Sequence, residues 1–290
     1  MIPLSAKRFR DILASTCSGG ARVKTMYSRF DYIDAARDSG ERFAELVRTV
    51  AEPDARLTST PGWTVVDCLG HVAATPGRYL ELIEGTGSWP HRPKDLPDFN
   101  AKQIANMSTR DIHRLTERFL DDLDRLLYAV SHFGARVPVM NFDADSRVRS
   151  DAALGILIGE FLIHGHDVAT AVGASWQIDP KVAPLVARGR HQVLPRWLVE
   201  SSCGGHSATY DIRLRGCDER YVYEFTDGRL VIDPPQSRHP DVHISVDPVV
   251  AMLAAYGRMS PTWAAVTGRA FAWGARPWLA AGLCRRFAPA

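Results

Sequence analysis

Glu160 and His164 stand four residues apart in a segment whose other members, Leu154, Ile156, Leu157, Phe161 and Leu162, are strongly apolar. At about 3.6 residues per turn they fall about 40° apart, on one face of a helix. A carboxylate among such neighbours is costly unless it is paired or bound to a metal. The two are therefore either a hydrogen-bonded Glu–His couple at the surface of a helix bundle or part of a ligand set. His71 lies in a second apolar helical segment. One imidazole from one helix and a Glu-x-x-x-His pair from another give a three-ligand site of the kind that bundles build in their cores. Two imidazoles and a carboxylate suit zinc with one coordination position left open, although nickel, cobalt or iron would accept the same donors.

Other side chains near these positions have two readings each. Asp167, three residues past His164, can reach the same face and orient its imidazole, or it is a surface acid. His166 points to a different face and reads as exposed or capping. Cys68, three before His71, reads as a buried, inert thiol, and Trp63 as a hydrophobic staple of the bundle. His206, His239 and His243 have no ligand spacing. An anionic substrate would want a cation near the metal; Arg258, Arg269 and Arg276 compete for that role and are otherwise surface arginines.

The elements that must position these residues follow from periodicity. Residues 31–51 carry Ile33, Phe43, Leu46, Val47 and Val50 at helical spacing. Pro61-Gly62 is a turn, and Thr64 with Asp67 forms a capping pair opening a helix to about Ile83. Residues 85–98, with three prolines, read as a long loop. A third helix, Thr109 to Val130, has one stripe of Ile112, Leu115, Phe119, Leu123, Leu126 and Leu127. Residues 134–149 read as a loop, and a fourth helix runs from about Ser150 to Ala171. These four helices predict an antiparallel bundle. Asp179-Pro180 caps a further helix to roughly Val199. Beyond a glycine- and serine-rich stretch at 201–207 the pattern alternates: Tyr210, Ile212, Leu214; Tyr221, Tyr223, Phe225; an Asp227-Gly228 hairpin; Leu230 to Ile232; then Val242, Ile244, Val246. Short helices after Asp247-Pro248 and Ser260-Pro261, a last strand from Gly268 to Trp273, and a terminal helix from Trp278 to Phe287 complete a small α+β unit.

The segment Trp63-Thr64-Val65-Val66-Asp67-Cys68-Leu69-Gly70-His71-Val72 resembles the GW-x-V-x-D-x-L-x-H-L/V signature of mycothiol-dependent maleylpyruvate isomerases. Gly159 to Ala169, with Glu160, His164 and Asp167, resembles their E-x-x-x-H-x-x-D-x-A helix. The resemblance covers about residues 31–200. It implies a DinB-like metal-binding bundle, a divalent metal on His71, Glu160 and His164, and mycothiol, the actinobacterial low-molecular-weight thiol, as cosubstrate. The reaction it implies is addition or transfer of that thiol at an electrophilic carbon, as an isomerase or an S-transferase. The last 85 or so residues resemble a sterol-carrier-protein-like domain through Val242 to Pro248, Gly257-Arg258 and Thr267 to Gly274. In carrier domains the final glycine is usually followed by aspartate, whereas Ala275 stands here.

The expected fold is thus α+β: an N-terminal extension, residues 1–30, a DinB-like antiparallel four-helix bundle, residues 31–200, and a small sterol-carrier-like α+β domain, residues 201–290. Two other functions fit the same residues. One is a non-enzymatic metal-containing carrier, with Trp263, Phe271, Trp273 and Trp278 lining an apolar pocket. The other is a metal hydrolase, for which Asp167 is the one identifiable general base. Composition narrows the field further. With 290 residues, 46% hydrophobic and 23% charged, the chain can bury the cores of about two domains. A net charge of +2 argues against broad phosphate neutralisation, hence no nucleic-acid partner. The longest apolar run, Ala152 to Ile158, is far short of the roughly 20 residues that span a bilayer, hence no membrane partner. The first 25 residues are basic but lack a secretory apolar region. Five cysteines, an odd number without a CxxC, read as reduced thiols and point to the cytoplasm.

Overall fold

A computed structural model describes residues 27–142 and 146–288. Most of the expected 1–30 extension, residues 1–26, lies outside the described residues. From Ser28 the chain is already ordered by chemistry: the Ser28 hydroxyl and the Asp31 carboxylate form a capping box for helix α1, Arg29–Arg48. Helix α2, Val65–Glu84, opens on the expected Thr64–Asp67 box. Its interior Pro76 cannot donate to the Val72 carbonyl; the Thr75 hydroxyl takes that acceptor at 2.7 Å, and the helix continues. Helix α3, Leu96–Ala105, replaces the second part of the expected 85–98 loop and extends beyond it. Pro93 and Pro97 sit in the first turns of their helices, where no amide donor is needed, so they start helices here. Helix α4, Ile112–Ser131, buries Leu115, Phe119, Leu123, Leu126, Leu127 and Val130.

The expected 134–149 loop contains an antiparallel hairpin, β1 (Val139–Phe142) and β2 (Ser146–Arg149). Helix α5, Ser150–Val172, is buried nearly all round and is the one described helix long and apolar enough to cross a membrane; it is the bundle's core helix. Helices α1, α2, α4 and α5 make the four-helix bundle, and helix α6, Ala183–His191, packs on α5. Helix α6 ends at His191, well short of Val199. A 3-10 turn at Leu194–Arg196, built around Pro195, and a one-turn helix α7, Glu200–Cys203, follow.

The second part is a five-stranded sheet of order β5-β4-β3-β6-β7, from β3 (Ala208–Leu214), β4 (Arg220–Thr226), β5 (Arg229–Ile232), β6 (Val242–Val246) and β7 (Ala270–Trp273). Among the described strands, only the β3–β6 pair is parallel. The hairpin at Asp227-Gly228 is as expected, with both residues left-handed. Helices α8, Pro248–Ala255, and α9, Pro261–Val266, pack on one sheet face. The expected terminal helix is instead two 3-10 stretches, Pro277–Gly282 and Cys284–Arg286. The largest core cluster runs from Tyr32 through the bundle to Met252, Leu253 and Tyr256 of the sheet domain.

Candidate metal centre

The α2 box fixes where that helix begins, and so which of its residues face α5; His71 falls on that inner side. Its Nε2 lies 3.3 Å from Glu160 Oε2, and His164 Nε2 lies 3.4 Å from the same oxygen. One donor atom from each of the three lies within 4.8 Å of the others. Both histidines are buried, and Glu160 retains partial exposure, so the cluster is reachable from one side. The imidazole planes of His71 and His164 meet edge to face, with ring centres 5.2 Å apart.

Burial alone would raise the Glu160 carboxyl, but hydrogen bonds to His164 and His71 hold it far below the ordinary carboxylate range. Burial dominates at His71 and lowers its imidazole. At His164 burial also opposes the charge, yet the neighbouring Cys68, Asp167 and Glu160 outweigh it and raise the imidazole. The Nδ1 atoms of His71 and His164 are buried and make no hydrogen bond within strict geometry. That of His164 lies 3.7 Å from Asp167 Oδ2.

Asp167 therefore faces the site. Its side chain is fully buried, and its partner comes from the other end of the chain. Arg258, just after α8, sends Nε to Oδ1 at 3.1 Å and Nη2 to Oδ2 at 2.7 Å, a two-pronged grip on a carboxylate. Arg258 Nη1 donates to the Tyr256 carbonyl at 2.7 Å, and Nη2 reaches Thr60 Oγ1 at 3.5 Å. Of the three competing arginines, Arg258 is the one at the site, and its charge is engaged by Asp167. Arg269 and Arg276 pair instead with Asp247 and Asp241.

Trp63 does more than staple the bundle. The strand-like bridge between Arg56 and Thr64, with the left-handed Gly62 turning the chain, sets its indole 5.1 Å from the His71 ring and nearly parallel to His164 at 6.0 Å. Cys68 is fully buried beside His164. His166 stays on the flank, its Nδ1 3.8 Å from Asp167 Oδ1. His206, His239 and His243 are remote, in the sheet domain. Sequence reasoning missed Thr60 and the backbone role of Tyr256. Helix α3 was missed too: Gln103 Nε2 donates to the Gly70 carbonyl at 2.8 Å, and Met107 just beyond the helix fills the space that a side chain at Gly70 would need. None of these has a spacing that announces it.

The sheet domain holds an apolar cavity of about 440 Å³ between α6, α8, α9 and the packed face of the sheet. Of the four aromatic residues expected to line such a pocket, only Phe271 does; Trp263, Trp273 and Trp278 face outward.

Residues 36–169 match the family described as the mycothiol maleylpyruvate isomerase N-terminal domain. No curated protein matches the chain. Among solved structures, the mycothiol-dependent maleylpyruvate isomerase superposes with a TM-score of 0.53 at 15% identity, over 81% of this chain and 91% of that one. A histidine-to-alanine variant of it gives 0.54 at 14%, over 85% and 93%. At that identity the likeness establishes the shared fold.

Proposed function

We propose, from a bundle whose residues 36–169 match the family model of the mycothiol maleylpyruvate isomerase N-terminal domain, that this chain is a mycothiol-using enzyme acting at an electrophilic carbon, as an isomerase or an S-transferase. His71, Glu160 and His164 hold its divalent metal, zinc by donor type. One observation carries the reading: two imidazole nitrogens sit 3.3 and 3.4 Å from a single carboxylate oxygen. Donors bonded at about 2.0–2.1 Å to a tetrahedral ion lie about 3.3–3.4 Å from one another, so two edges of such a face already have that spacing, and all three donors lie within 4.8 Å. The orphaned Nδ1 atoms agree, since each ring presents its Nε2 inward.

When bound, such an ion supplies the charge that makes a thiol, with an ordinary pKa of about 8.5, ionise at neutral pH. The chain's own residues do the rest. Glu160 stays ionised and joins the two helices. Asp167 lies against the outer nitrogen of His164 and favours its Nδ1–H tautomer, leaving Nε2 as the donor atom. Arg258 keeps Asp167 ionised and in place. Trp63 lies over both imidazoles and narrows the access of water. The substrates are mycothiol and a small electrophile, of which maleylpyruvate is one candidate.

The test is metal analysis of the purified protein together with turnover of a panel of electrophiles with mycothiol or glutathione. About one divalent ion per chain and a requirement for mycothiol are expected. Turnover of esters or amides with water alone, unaffected by thiol, would replace this reading with a hydrolase. The apolar cavity favours a second reading, a carrier of an apolar ligand. Metal-independent binding of such a ligand, without any thiol-dependent turnover, would support it.

A further inference from the structure

Arg78 stands two helical turns after His71 in α2, within about 20° of it around the axis, on the same side of the helix. Long side chains on a helix lean back toward its N-terminus, which brings the Arg78 guanidinium down toward the His71 turn. Its contacts agree. Nη2 donates to Gln103 Oε1 at 3.0 Å, and the other end of the same amide donates to the Gly70 carbonyl at 2.8 Å. One glutamine side chain therefore separates the guanidinium from the residue next to His71. Its charge is felt at the cluster. Besides burial, which dominates, Arg78 helps to lower the His71 imidazole, and Glu160 favours the charged form of Arg78 against its own burial.

This half-buried cation has no acidic partner within ion-pair distance among the described residues. Two other arginines of the bundle's surroundings have theirs: Arg258 is held by Asp167 and Arg110 by Asp67. The Trp89 and Phe99 rings lie 5.7 and 5.2 Å from the central carbon of Arg78, and they cover its faces rather than its edge. On the edge, Nε is buried and makes no hydrogen bond. Trp89 Nε1, on one of the covering rings, is a second buried donor without an acceptor. Both groups only donate, so the missing partner is an acceptor. Buried donors are rarely left unpaired, and donors carrying a full charge pair most strongly with an anion.

A planar pair of oxygens matches the guanidinium fork. We propose that Arg78, braced by Gln103 and flanked by Trp89 and Phe99, seats the carboxylate of a small organic acid whose other end reaches the position between His71, Glu160 and His164. The span to cover is less than two helical turns, about 10 Å, a length for an acid of a few carbons. The inference rests on the thiol-transfer reading for what becomes of the acid, and deepens it: the electrophile is a carboxylic acid, with its reactive carbon a few bonds from the group that Arg78 holds. Arg258, spent on Asp167, is not that cation.

The experiment is calorimetric titration of the full chain with maleate, with its dimethyl ester and with inorganic phosphate. Maleate is expected to bind about tenfold or more tightly than either of the others. Arg78→Met keeps an apolar stem between the two rings and strands no carboxylate. It is expected to keep its melting temperature and metal content and to lose about tenfold or more in maleate binding. Arg78→Lys, a charge without the fork, is expected to fall between the two. Trp89→Phe keeps a ring and removes one donor, and is expected to weaken maleate about fivefold. Equal binding of acid and ester overturns the proposal. So does wild-type maleate binding by Arg78→Met, which would place the acid on the metal alone. Phosphate bound as tightly as maleate overturns it in favour of a seat for inorganic anions. If Arg78→Met does not fold, Trp89→Phe and the acid-to-ester ratio of the unaltered chain decide. None of these readouts needs turnover. Maleate binding that depends on Arg78, in a protein without thiol-dependent turnover, keeps the seat and removes the reaction. Turnover with mycothiol that is unchanged in Arg78→Met for every acidic electrophile keeps the reaction and removes the seat.

Discussion

Asp167 carries a charge with no solvent contact, and the Arg258 guanidinium is what balances it. Removing one member of a buried pair leaves the other charge uncompensated, at a cost of about 3–5 kcal/mol, whereas replacing both by neutral groups is far milder. Arg258→Ala is therefore expected to destabilise by about 3 kcal/mol or more in urea unfolding, and Asp167→Asn/Arg258→Met to recover most of that loss. An additive double variant would show that the two do not form one unit. At the proposed metal centre, His71→Ala would leave two donors, too few to hold zinc in a catalytic geometry. That protein is expected to lose most of its metal while keeping its helical circular dichroism, because the apolar stripes of the bundle are untouched. Full metal occupancy in it would end the ligand assignment. His206 has a different sensitivity. Burial, with Arg286 and Arg276 nearby, pulls its imidazole down to about 4. The unfolded chain takes that proton near pH 6.5, so between about 6.5 and about 4 the unfolded state binds more protons and stability falls as pH falls. In His206→Asn, the unfolding midpoint is expected to change less steeply across that window.

Among the elements, those governed by local chemistry were legible. Thr64 and Asp67 fix the start of α2, the stripe from Leu115 to Val130 fixes α4, and Asp227-Gly228 fixes the β4–β5 hairpin. Helix α3 was not legible, because Pro93 and Pro97 read as loop residues until their helix-first positions are known. The β1–β2 hairpin was hidden for another reason: its strands have four residues each, and the alternation shows only once Met140, Phe142 and Val148 meet the core. Of the candidate site, the spacing of Glu160 and His164 was readable, and His71 joined them through its helix. Arg258 was one of three equal candidates, since nothing local marks a residue that acts 91 positions away. The α5–α6 contact carries its own signal in two glycines. A Cβ on Gly155 would stand 2.2 Å from the Leu185 carbonyl oxygen, and one on Gly189 2.8 Å from the Gly155 backbone. Alanine gains about 1 kcal/mol over glycine in a helix, but the obstacle here is backbone, which cannot swing aside. Gly155→Ala is expected to be destabilised by about 2 kcal/mol net, the overpacking cost exceeding the propensity gain. A rise in stability would mean that the two helices separate freely.

At the scale of the whole molecule, the composition change near residue 200 predicts two domains, yet the physical links across that point are strong. Met252, Leu253 and Tyr256 belong to the bundle's own core cluster, with Val249 and Met259 packed against it. Tyr256 presses on Gly159, next to Glu160, and its carbonyl anchors the arginine that grips Asp167. Burying a large apolar side chain is worth about 1.5–3 kcal/mol. Three such side chains and one buried ion pair therefore couple the two parts by an amount comparable to the whole stability of a domain, about 5–15 kcal/mol. Folding of one part should then depend on the other. In calorimetry the intact chain is expected to unfold in a single transition. Tyr256→Ala, which empties the side-chain contact at Gly159 while leaving the backbone carbonyl in place, is expected to split it into two, with the sheet domain and the bundle melting apart. Two independent transitions in the unaltered chain would show that the shared core does not couple the parts. The proposed metal centre would then have to be regarded as a property of the bundle alone, with Arg258 a visitor to it.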